Sequence, residues 1–227
     1  PLDEGRALFQ QGDLVPVYRR LLADLETPVS VFMKLAGAGQ VSFLLESVEG
    51  GEQVGRYSFL GVDPRGIITF DKGVITRNID GEVTTRELGP DEDPLNALQA
   101  EFDQVQPVHI DGLPRLVGGA VGYLGYDIVR YFERLPETAD RELDVPDAAF
   151  MLPDTVVIFD HAKHQLIVLA NAHNTDNNPD AAYNDAVRRI DQIVTALGRP
   201  LPQVDLPLEA LDEELVSNVP RETFEDN

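Results

Sequence analysis

Hydrophobic and polar positions along this chain alternate with two different periods, which predicts both helices and strands. Spacings of three and four residues appear first at residues 16–25 and predict a helix there. From residue 29 to residue 35 every second position is apolar, which predicts a strand with at least one covered face. Two further strands are predicted at residues 41–47 and 56–62, on either side of a glycine-containing break.

The middle of the chain consists of short strand-like segments joined by tight turns. A meander is predicted at residues 66–70, 74–79 and 82–88, with Asp-Lys-Gly and Asp-Gly as the hairpin turns. Another hairpin is predicted at residues 155–159 and 165–170. Short turns connect antiparallel strands, whereas parallel strands need long crossovers. The pattern therefore indicates an α+β fold with a largely antiparallel sheet and flanking helices.

Two later helices, which follow the meander, carry clear start signals. One is predicted to begin at Pro94, after a run of carboxylates that suits the positive end of a helix. The other begins at Pro179, directly after the capping residue Asn178. The last stretch is rich in Pro, Asp and Glu with little periodicity. We therefore expect one α+β domain over residues 1–200 and an acidic, proline-containing linker over residues 201–227.

The excess of acidic residues argues against nucleic acid and anionic membranes as binding partners. Forty Asp and Glu against eighteen Lys and Arg give a formal net charge of −22, which repels nucleic acid and anionic membranes. No apolar run approaches the roughly 18 residues of a membrane helix. Cysteine is absent, which excludes disulfides and thiolate metal ligands. We expect a cytoplasmic protein with neither nucleic acid nor membrane as a partner.

Motifs that would carry catalysis or a cofactor are missing from the sequence. His161 and His164 form an H-x-x-H pattern, but on a predicted turn and without a third ligand nearby. Solvated turn histidines are therefore the better interpretation. Four glycines have the spacing G-G-x-x-G-x-x-G, which does not fit a dinucleotide-binding motif: Gly118, Gly119, Gly122 and Gly125. We expect these glycines to let the backbone pass close to a neighbouring element.

One group of residues suits recognition of a small molecule. Strand alternation puts Leu45 and Ser47 on one face and Glu46 on the other. Nine residues after Ser47, Arg56 begins the next predicted strand, so a hairpin could bring its guanidinium near the Ser47 hydroxyl. An apolar slot with a hydroxyl, an acceptor and a cation could hold a zwitterionic amino acid. Spacing alone, however, favours an ordinary strand end with surface charges.

Two segments resemble sequence motifs of the chorismate-using large subunit of anthranilate synthase (component I). The first is FLLESVEGGEQVGRYSFLG at residues 43–61, which is similar to the tryptophan-feedback motif of that family. The second is GGAVGYLGYDIVRYFERLP at residues 118–136. Shorter matches occur at residues 146–147 and 159–161, and the resemblance covers most of residues 15–225.

The resemblance implies that this chain is the amino-terminal regulatory domain of such a subunit, with the fold of that domain in chorismate-binding enzymes. It implies a site for L-tryptophan as effector, of which Ser47, Arg56, the backbone at Leu45 and the carboxylate of Glu46 form this chain's half and a second domain forms the rest. At residues 53 and 54 the chain has Gln-Val, where family members often carry a basic and then an aromatic residue. That exchange is expected to alter the packing of the pocket without removing the site.

The resemblance also implies a catalytic domain that this chain lacks. In the family that domain holds chorismate, Mg²⁺ and the catalytic acid and base, and residues 217–224 resemble its opening. The full subunit, a carbon–oxygen lyase, would convert chorismate and ammonia from a glutamine amidotransferase partner to anthranilate and pyruvate. The chain alone is expected to be inactive, with no catalytic residues and no cofactor of its own. Sheet surface left uncovered by the missing domain would favour a homodimer.

Two other functions stay open at this point. A sister enzyme, aminodeoxychorismate synthase, has a similar pocket that can hold tryptophan as a structural ligand. The length of the match at residues 118–136 favours anthranilate synthase. Alternatively, the chain could be a free-standing interaction module without an effector, and direct tryptophan binding would separate that possibility from both enzymes.

Overall fold

The computed structural model describes residues 2–37, 40–47, 55–89, 92–136 and 143–202. Within these residues the chain forms two five-stranded sheets with a few helices, and all strands in both sheets pair antiparallel. This confirms the predicted α+β class. The division at residue 200 stays a prediction, because residues 203–227 lie outside the described residues.

Ten strands and four α-helices follow one another along the described chain. The strands are β1 (Leu14–Leu22), β2 (Ser42–Leu45), β3 (Tyr57–Val62), β4 (Gly66–Asp71), β5 (Val74–Ile79), β6 (Glu82–Glu87), β7 (Val121–Leu124), β8 (Ala148–Leu152), β9 (Thr155–Asp160) and β10 (Gln165–His173). The helices are α1 (Leu2–Leu8), α2 (Pro28–Leu35), α3 (Pro94–Phe102) and α4 (Pro179–Leu197), and a 3₁₀ helix spans Tyr126–Tyr131. None of the described helices is both long and apolar enough to cross a membrane.

The first sheet has the strand order β1-β10-β9-β3-β2 and is covered on one face by helices. This helix face carries the larger core, in which residues such as Leu60, Val157 and Val168 pack against α1, α2 and α4. The hydrophobic cluster on the opposite face is smaller and contains several aromatic side chains. We call this the aromatic face. Its members are Tyr18, Tyr57, Phe59 and Leu113, packed on Val156, Ile158 and Ile167.

The second sheet has the strand order β6-β5-β4-β8-β7 and a separate core. Ile68, Phe70 and Ile75 are at most 1% exposed, and α3 and the 3₁₀ helix contribute Leu98 and Ile128 to the same cluster. The chain crosses directly from β3 of the first sheet into β4, and again from β8 into β9. These two crossings connect the sheets through links of only a few residues.

A polar junction surrounds these two crossings. Arg65 Nη1 lies 3.2 Å from His173 Nδ1, and His173 Nε2 lies 2.8 Å from Asp154 Oδ1. Because the guanidinium can only donate, Nδ1 accepts and the Nε2 hydrogen of His173 is donated to Asp154. From α4, Arg189 donates to the backbone carbonyls of Asn171 and Asp154. The junction thus ties the end of β10, the start of β9 and α4 to the link that enters β4.

The first of two wrong predictions concerns residues 16–25. They were expected to form a helix, but residues 16–22 belong to β1, which pairs with β10 along its whole length. A spacing of four residues, such as Val17 to Leu21, fits a strand as well as a helix because four is a multiple of two. The other members of the expected apolar stripe, Leu22 and Leu25, are 78% and 96% exposed.

The second wrong prediction concerns residues 29–35, which were expected to form a strand but form α2. Thr27 caps this helix: its hydroxyl accepts from the Ser30 backbone N–H, and the Ser30 hydroxyl accepts from the Thr27 N–H. Pro28 follows at the first helical position. This capping box was visible in the sequence as Thr-Pro-Val-Ser, a local signal more specific than the period-two pattern.

Most other predicted elements are confirmed. The meander forms β4, β5 and β6, the later hairpin forms β9 and β10, and α3 and α4 begin at the predicted prolines. Asp93 and Asn178 are the N-caps: the Asp93 side chain accepts from two backbone N–H groups, and that of Asn178 accepts from one. Sequence patterns did not predict α1, β7 or β8, because their apolar runs are short or interrupted by small residues.

Large apolar side chains are exposed around β7 and the 3₁₀ helix that follows it. They are between 44% and 90% exposed and comprise Tyr123, Leu124, Tyr126, Phe132 and Leu135. In the described part of the chain, β7 pairs only with β8, so its second edge is open. An apolar surface beside an open strand edge favours association.

We therefore expect the chain to self-associate as a dimer through this edge, despite its net charge. Replacing Tyr126, which is 90% exposed, with lysine should lower the dimer fraction in sedimentation velocity. Lysine reduces the net negative charge, so dissociation could not result from stronger repulsion. Leu25→Lys, at a position that is 96% exposed on another surface, is the matched control and should sediment like the unmodified chain. A clean monomer at high concentration and moderate salt would contradict this expectation.

Candidate functional site

The residues expected to bind an amino acid lie at the end of β2, an edge strand of the first sheet. Leu45 is the last residue of β2 and pairs with Phe59 of β3. Its side chain is 44% exposed, and the next two residues, Glu46 and Ser47, are exposed as well. The predicted Gly-Gly turn at residues 50 and 51 lies outside the described residues.

The predicted alternation of faces along β2 is confirmed. Leu44 packs into the core of the helix face. Phe43 lies on the opposite side, where a Cβ added to Gly61 would come within 2.3 Å of its ring. Leu45, two residues after Phe43, therefore shares the aromatic face with its partner Phe59. Continuing the alternation puts Ser47 on that face and Glu46 on the other, which weakens the assignment of Glu46 to the same pocket.

Arg56, immediately before β3, is held by an acidic residue that the sequence did not single out. Its Nε and Nη2 donate to Asp160 Oδ1 and Oδ2 at 3.0 and 2.8 Å. The Asp160 side chain is only 5% exposed, whereas that of Arg56 is 35% exposed. The guanidinium also lies 4.8 Å from the centre of the Tyr57 ring. A bidentate pair of this kind is among the stronger side-chain interactions.

The ion pair fixes the charge state of both partners. The hydrogen bonds from Arg56 hold the pKa of the Asp160 carboxyl below its usual value, although burial acts in the opposite direction. The same bonds raise the pKa of Arg56. Backbone contacts support the pair, since the Lys163 N–H lies 3.3 Å from Asp160 Oδ1 and the His161 N–H donates to the Arg56 carbonyl at 2.9 Å. The site therefore contains one positive and one negative charge in fixed positions.

The structure brings the four predicted site residues to one corner of the sheet without joining them directly. Continuing the β2–β3 register by two residues sets Ser47 opposite Tyr57, next to Arg56. Among the described residues, no hydrogen bond connects Arg56 to Ser47 or Glu46. The sequence analysis missed Asp160 because its position depends on the pairing of β3 with β9, which places Tyr57 opposite Asp160 and which the predicted hairpins do not include.

A serine and a histidine also meet beside this corner. Ser58 Oγ lies 2.8 Å from His161 Nε2. Ser58 is 1% exposed, however, and the adjacent carboxylate of Asp160 binds Arg56 rather than the imidazole. A buried hydroxyl without an oriented base does not make a nucleophile. His161 and His164 are exposed on the turn between β9 and β10, as predicted.

Two of the four glycines of the second motif, Gly122 and Gly125, have the close backbone approach that was expected, whereas Gly119 has open space around it and a positive φ of 98°. A Cβ on Gly122 of β7 would lie 1.9 Å from the Ala149 carbonyl oxygen. A Cβ on Gly118 would lie 2.6 Å from Asn171 Nδ2, which donates to the Val117 carbonyl. The backbone neighbour of Gly122 leaves no room for a side chain, whereas a side chain at Gly118 would displace the Asn171 amide. Within the described ranges, no group of three His, Cys, Asp or Glu side chains is placed to hold a metal ion.

The chain matches the family described as chorismate binding enzyme over residues 40–227. Curated relatives include anthranilate synthase component 1 of Synechocystis sp., which is 38% identical over 207 residues. The alignment covers 90% of this chain and 40% of the relative. The corresponding protein of Mycolicibacterium smegmatis is 40% identical, with 88% of this chain and 38% of the relative covered. That of Thermus thermophilus is 42% identical, with 83% and 37% covered.

A solved structure also resembles the fold. The crystal structure of anthranilate synthase component I from Streptococcus pneumoniae TIGR4 matches with a TM-score of 0.53 and 27% sequence identity. The match covers 81% of this chain and 38% of that chain. The chain thus spans about two fifths of the length of the relatives that it matches. By this match over most of its length, the chain belongs to the chorismate binding enzyme family.

Proposed function

We propose that this chain is the amino-terminal regulatory region of an anthranilate synthase component I and that L-tryptophan is its effector. The full-length subunit would convert chorismate and ammonia to anthranilate and pyruvate. Binding of tryptophan at the end of β2 would favour one arrangement of the subunit over another and so lower its activity.

The observation that carries this proposal is the corner formed by the end of β2 and the start of β3. An exposed apolar side chain, Leu45, lies on the aromatic face there, beside the Arg56–Asp160 ion pair. Continued alternation along the chain puts the Ser47 hydroxyl on the same face. The aromatic face offers apolar contacts to an indole ring, and the guanidinium can meet a carboxylate. Glu46 stays a candidate only if the chain bulges after β2 and turns its carboxylate toward this face.

The reaction itself is assigned to the part of the subunit that lies outside this chain. We propose that Mg²⁺ and the catalytic acid and base belong to that other part, since this chain spans only about two fifths of its relatives. A glutamine amidotransferase is the partner expected to supply ammonia to the full-length subunit. The relatives reported above all carry the name anthranilate synthase component 1, which favours this enzyme over aminodeoxychorismate synthase.

The purified chain alone is expected to form no anthranilate from chorismate, Mg²⁺ and excess ammonia. The reason is that the chain spans only about two fifths of the length of its relatives, and that the described residues contain no group of three His, Cys, Asp or Glu side chains placed to hold a metal ion. Anthranilate fluorescence measures the product directly, and the full-length subunit under the same conditions is the positive control. Steady product formation by the chain, in material free of host enzyme and above a protein-free control, would contradict the assignment.

Tryptophan inhibition of the full-length subunit tests the regulatory part of the proposal. A substitution at the end of β2 or the start of β3 that weakens inhibition by tryptophan would support the regulatory role. A subunit that turns over chorismate but neither binds nor responds to tryptophan would favour the interaction module or a purely catalytic protein.

A further inference from the structure

We propose that Asp160 is a positioning residue of the effector site. Its carboxylate holds the Arg56 guanidinium in one orientation and so sets the affinity for an amino acid carboxylate, without contacting the effector itself. This inference rests on the proposed function and deepens it, because it names a determinant of affinity outside the predicted binding residues.

The geometry of the ion pair leaves one edge of the guanidinium available to a ligand. Both Nε and Nη2 of Arg56 are bound to Asp160, at 3.0 and 2.8 Å, so this edge of the guanidinium is occupied. Within the described residues Nη1 has no hydrogen-bond partner. A carboxylate that approaches Arg56 must therefore use the remaining edge, and Asp160 determines where that edge lies.

Burial makes Asp160 inaccessible to a ligand. The Asp160 side chain is 5% exposed and ends β9, a strand paired on both sides. A ligand cannot reach a carboxylate this deeply buried, but the partly exposed guanidinium remains accessible. Asp160 is also fixed by the Lys163 N–H, and the backbone of Arg56 by the His161 N–H. The Asp160 carboxylate is thus held rigidly, while the Arg56 guanidinium that it binds remains accessible at the corner.

The ion pair also lowers the entropy that Arg56 would lose when a ligand binds. An unrestrained arginine side chain has many rotamers, and a ligand that immobilises it loses affinity to that entropy. In this chain the pair with Asp160 and the contact with the Tyr57 ring restrict the side chain before any ligand arrives. The ion pair therefore preorganises the cation for the carboxylate of a zwitterionic amino acid.

The experiment measures the dissociation constant of L-tryptophan by calorimetry on the full-length subunit. Asp160→Asn keeps the shape of the side chain but removes its charge, and it should raise the dissociation constant about 3- to 10-fold. Asp180→Asn is the matched control, since Asp180 forms a similar bidentate pair with Arg6 at the remote contact of α1 and α4. The control should leave tryptophan binding unchanged. An unchanged or lowered dissociation constant for Asp160→Asn would overturn the inference.

A double-mutant cycle separates positioning from a general loss of structure. If Asp160 acts through Arg56, adding Asp160→Asn to Arg56→Met should cause no further loss of tryptophan affinity. Additive losses would mean that Asp160 does not act through the guanidinium, and the inference would fall. Thermal unfolding of each variant checks folding. Should Asp160→Asn not fold, Asp160→Glu, which keeps the charge but displaces it by one methylene, takes its place with the same expected weakening.

Failure of this inference is distinguishable from failure of the proposed function. A subunit that binds tryptophan, loses binding on alteration of Ser47, but tolerates Asp160→Asn, would overturn only the role of Asp160. A subunit that does not bind tryptophan before any substitution would overturn both.

Discussion

Replacing Ser47 with phenylalanine in the full-length subunit should relieve inhibition by tryptophan. The substitution removes a hydroxyl and places a ring where the indole of the effector is expected to lie. A lost hydrogen bond together with a steric clash corresponds to ~2–4 kcal/mol, or roughly 30- to 1000-fold in affinity. The tryptophan concentration for half inhibition, normalised to each variant's own rate without tryptophan, measures the effect.

This substitution should affect tryptophan binding without affecting folding, because Ser47 is exposed and a larger side chain there displaces no core residue. Ser47→Ala removes only the hydroxyl and should give a smaller effect of the same sign. Thr84→Phe adds the same ring to an exposed position of β6 in the other sheet and should not change inhibition. If inhibition of Ser47→Phe equals that of the unmodified subunit, the assignment of the pocket is wrong.

Gly122→Ala should destabilise the chain strongly, although it adds only a methyl group. The new Cβ would lie 1.9 Å from the Ala149 carbonyl oxygen and 2.7 Å from the Phe150 Cα, both of them backbone atoms that cannot rotate away. Forcing β7 and β8 apart at this point is expected to cost about 2–4 kcal/mol. For a chain of this size such a loss lowers the unfolding midpoint by roughly 5–15 °C.

The matched control for Gly122 is Gly89→Ala. A Cβ on Gly89 would have its nearest neighbours in the Glu92 side chain at 3.8 Å, an ordinary contact distance. This variant should unfold within about 0.5 kcal/mol of the unmodified chain or be slightly more stable. Equal unfolding midpoints for Gly122→Ala and Gly89→Ala would show that β7 is not packed against β8 in the way described.

Local sequence signals correctly predicted those turns and helix starts at which only one backbone geometry is favoured. The turns of the meander and the caps of α3 and α4 are of this kind, since Asp-Gly and Asn-Pro each favour one backbone geometry. Where two patterns competed within one segment, the predicted type of element was wrong. Residues 16–25 satisfied a helical spacing, yet pairing with β10 made them a strand. Residues 29–35 alternated, yet the capping box at Thr27 made them a helix.

The candidate site was predictable only in part, for a different reason. The positions of Leu45 and Ser47 follow from alternation along one strand, which is a local property. The partner of Arg56 lies 104 residues further along the chain, so its identity depends on how β3 and β9 pair. No local pattern contains that information. The sequence therefore indicated the cation but not the carboxylate that orients it.

Strand β9 links the corner to the junction between the sheets. Its first residue, Thr155, lies beside Asp154 at the polar junction, and its last, Asp160, holds Arg56. The five rises between these ends span about 17 Å, and the residues between them are at most 3% exposed. A strand that is buried and paired on both sides is stiff along its axis. We therefore expect a displacement of Asp160 along the strand axis to be passed to Asp154, which would connect the Arg56 corner to the polar junction between the two sheets.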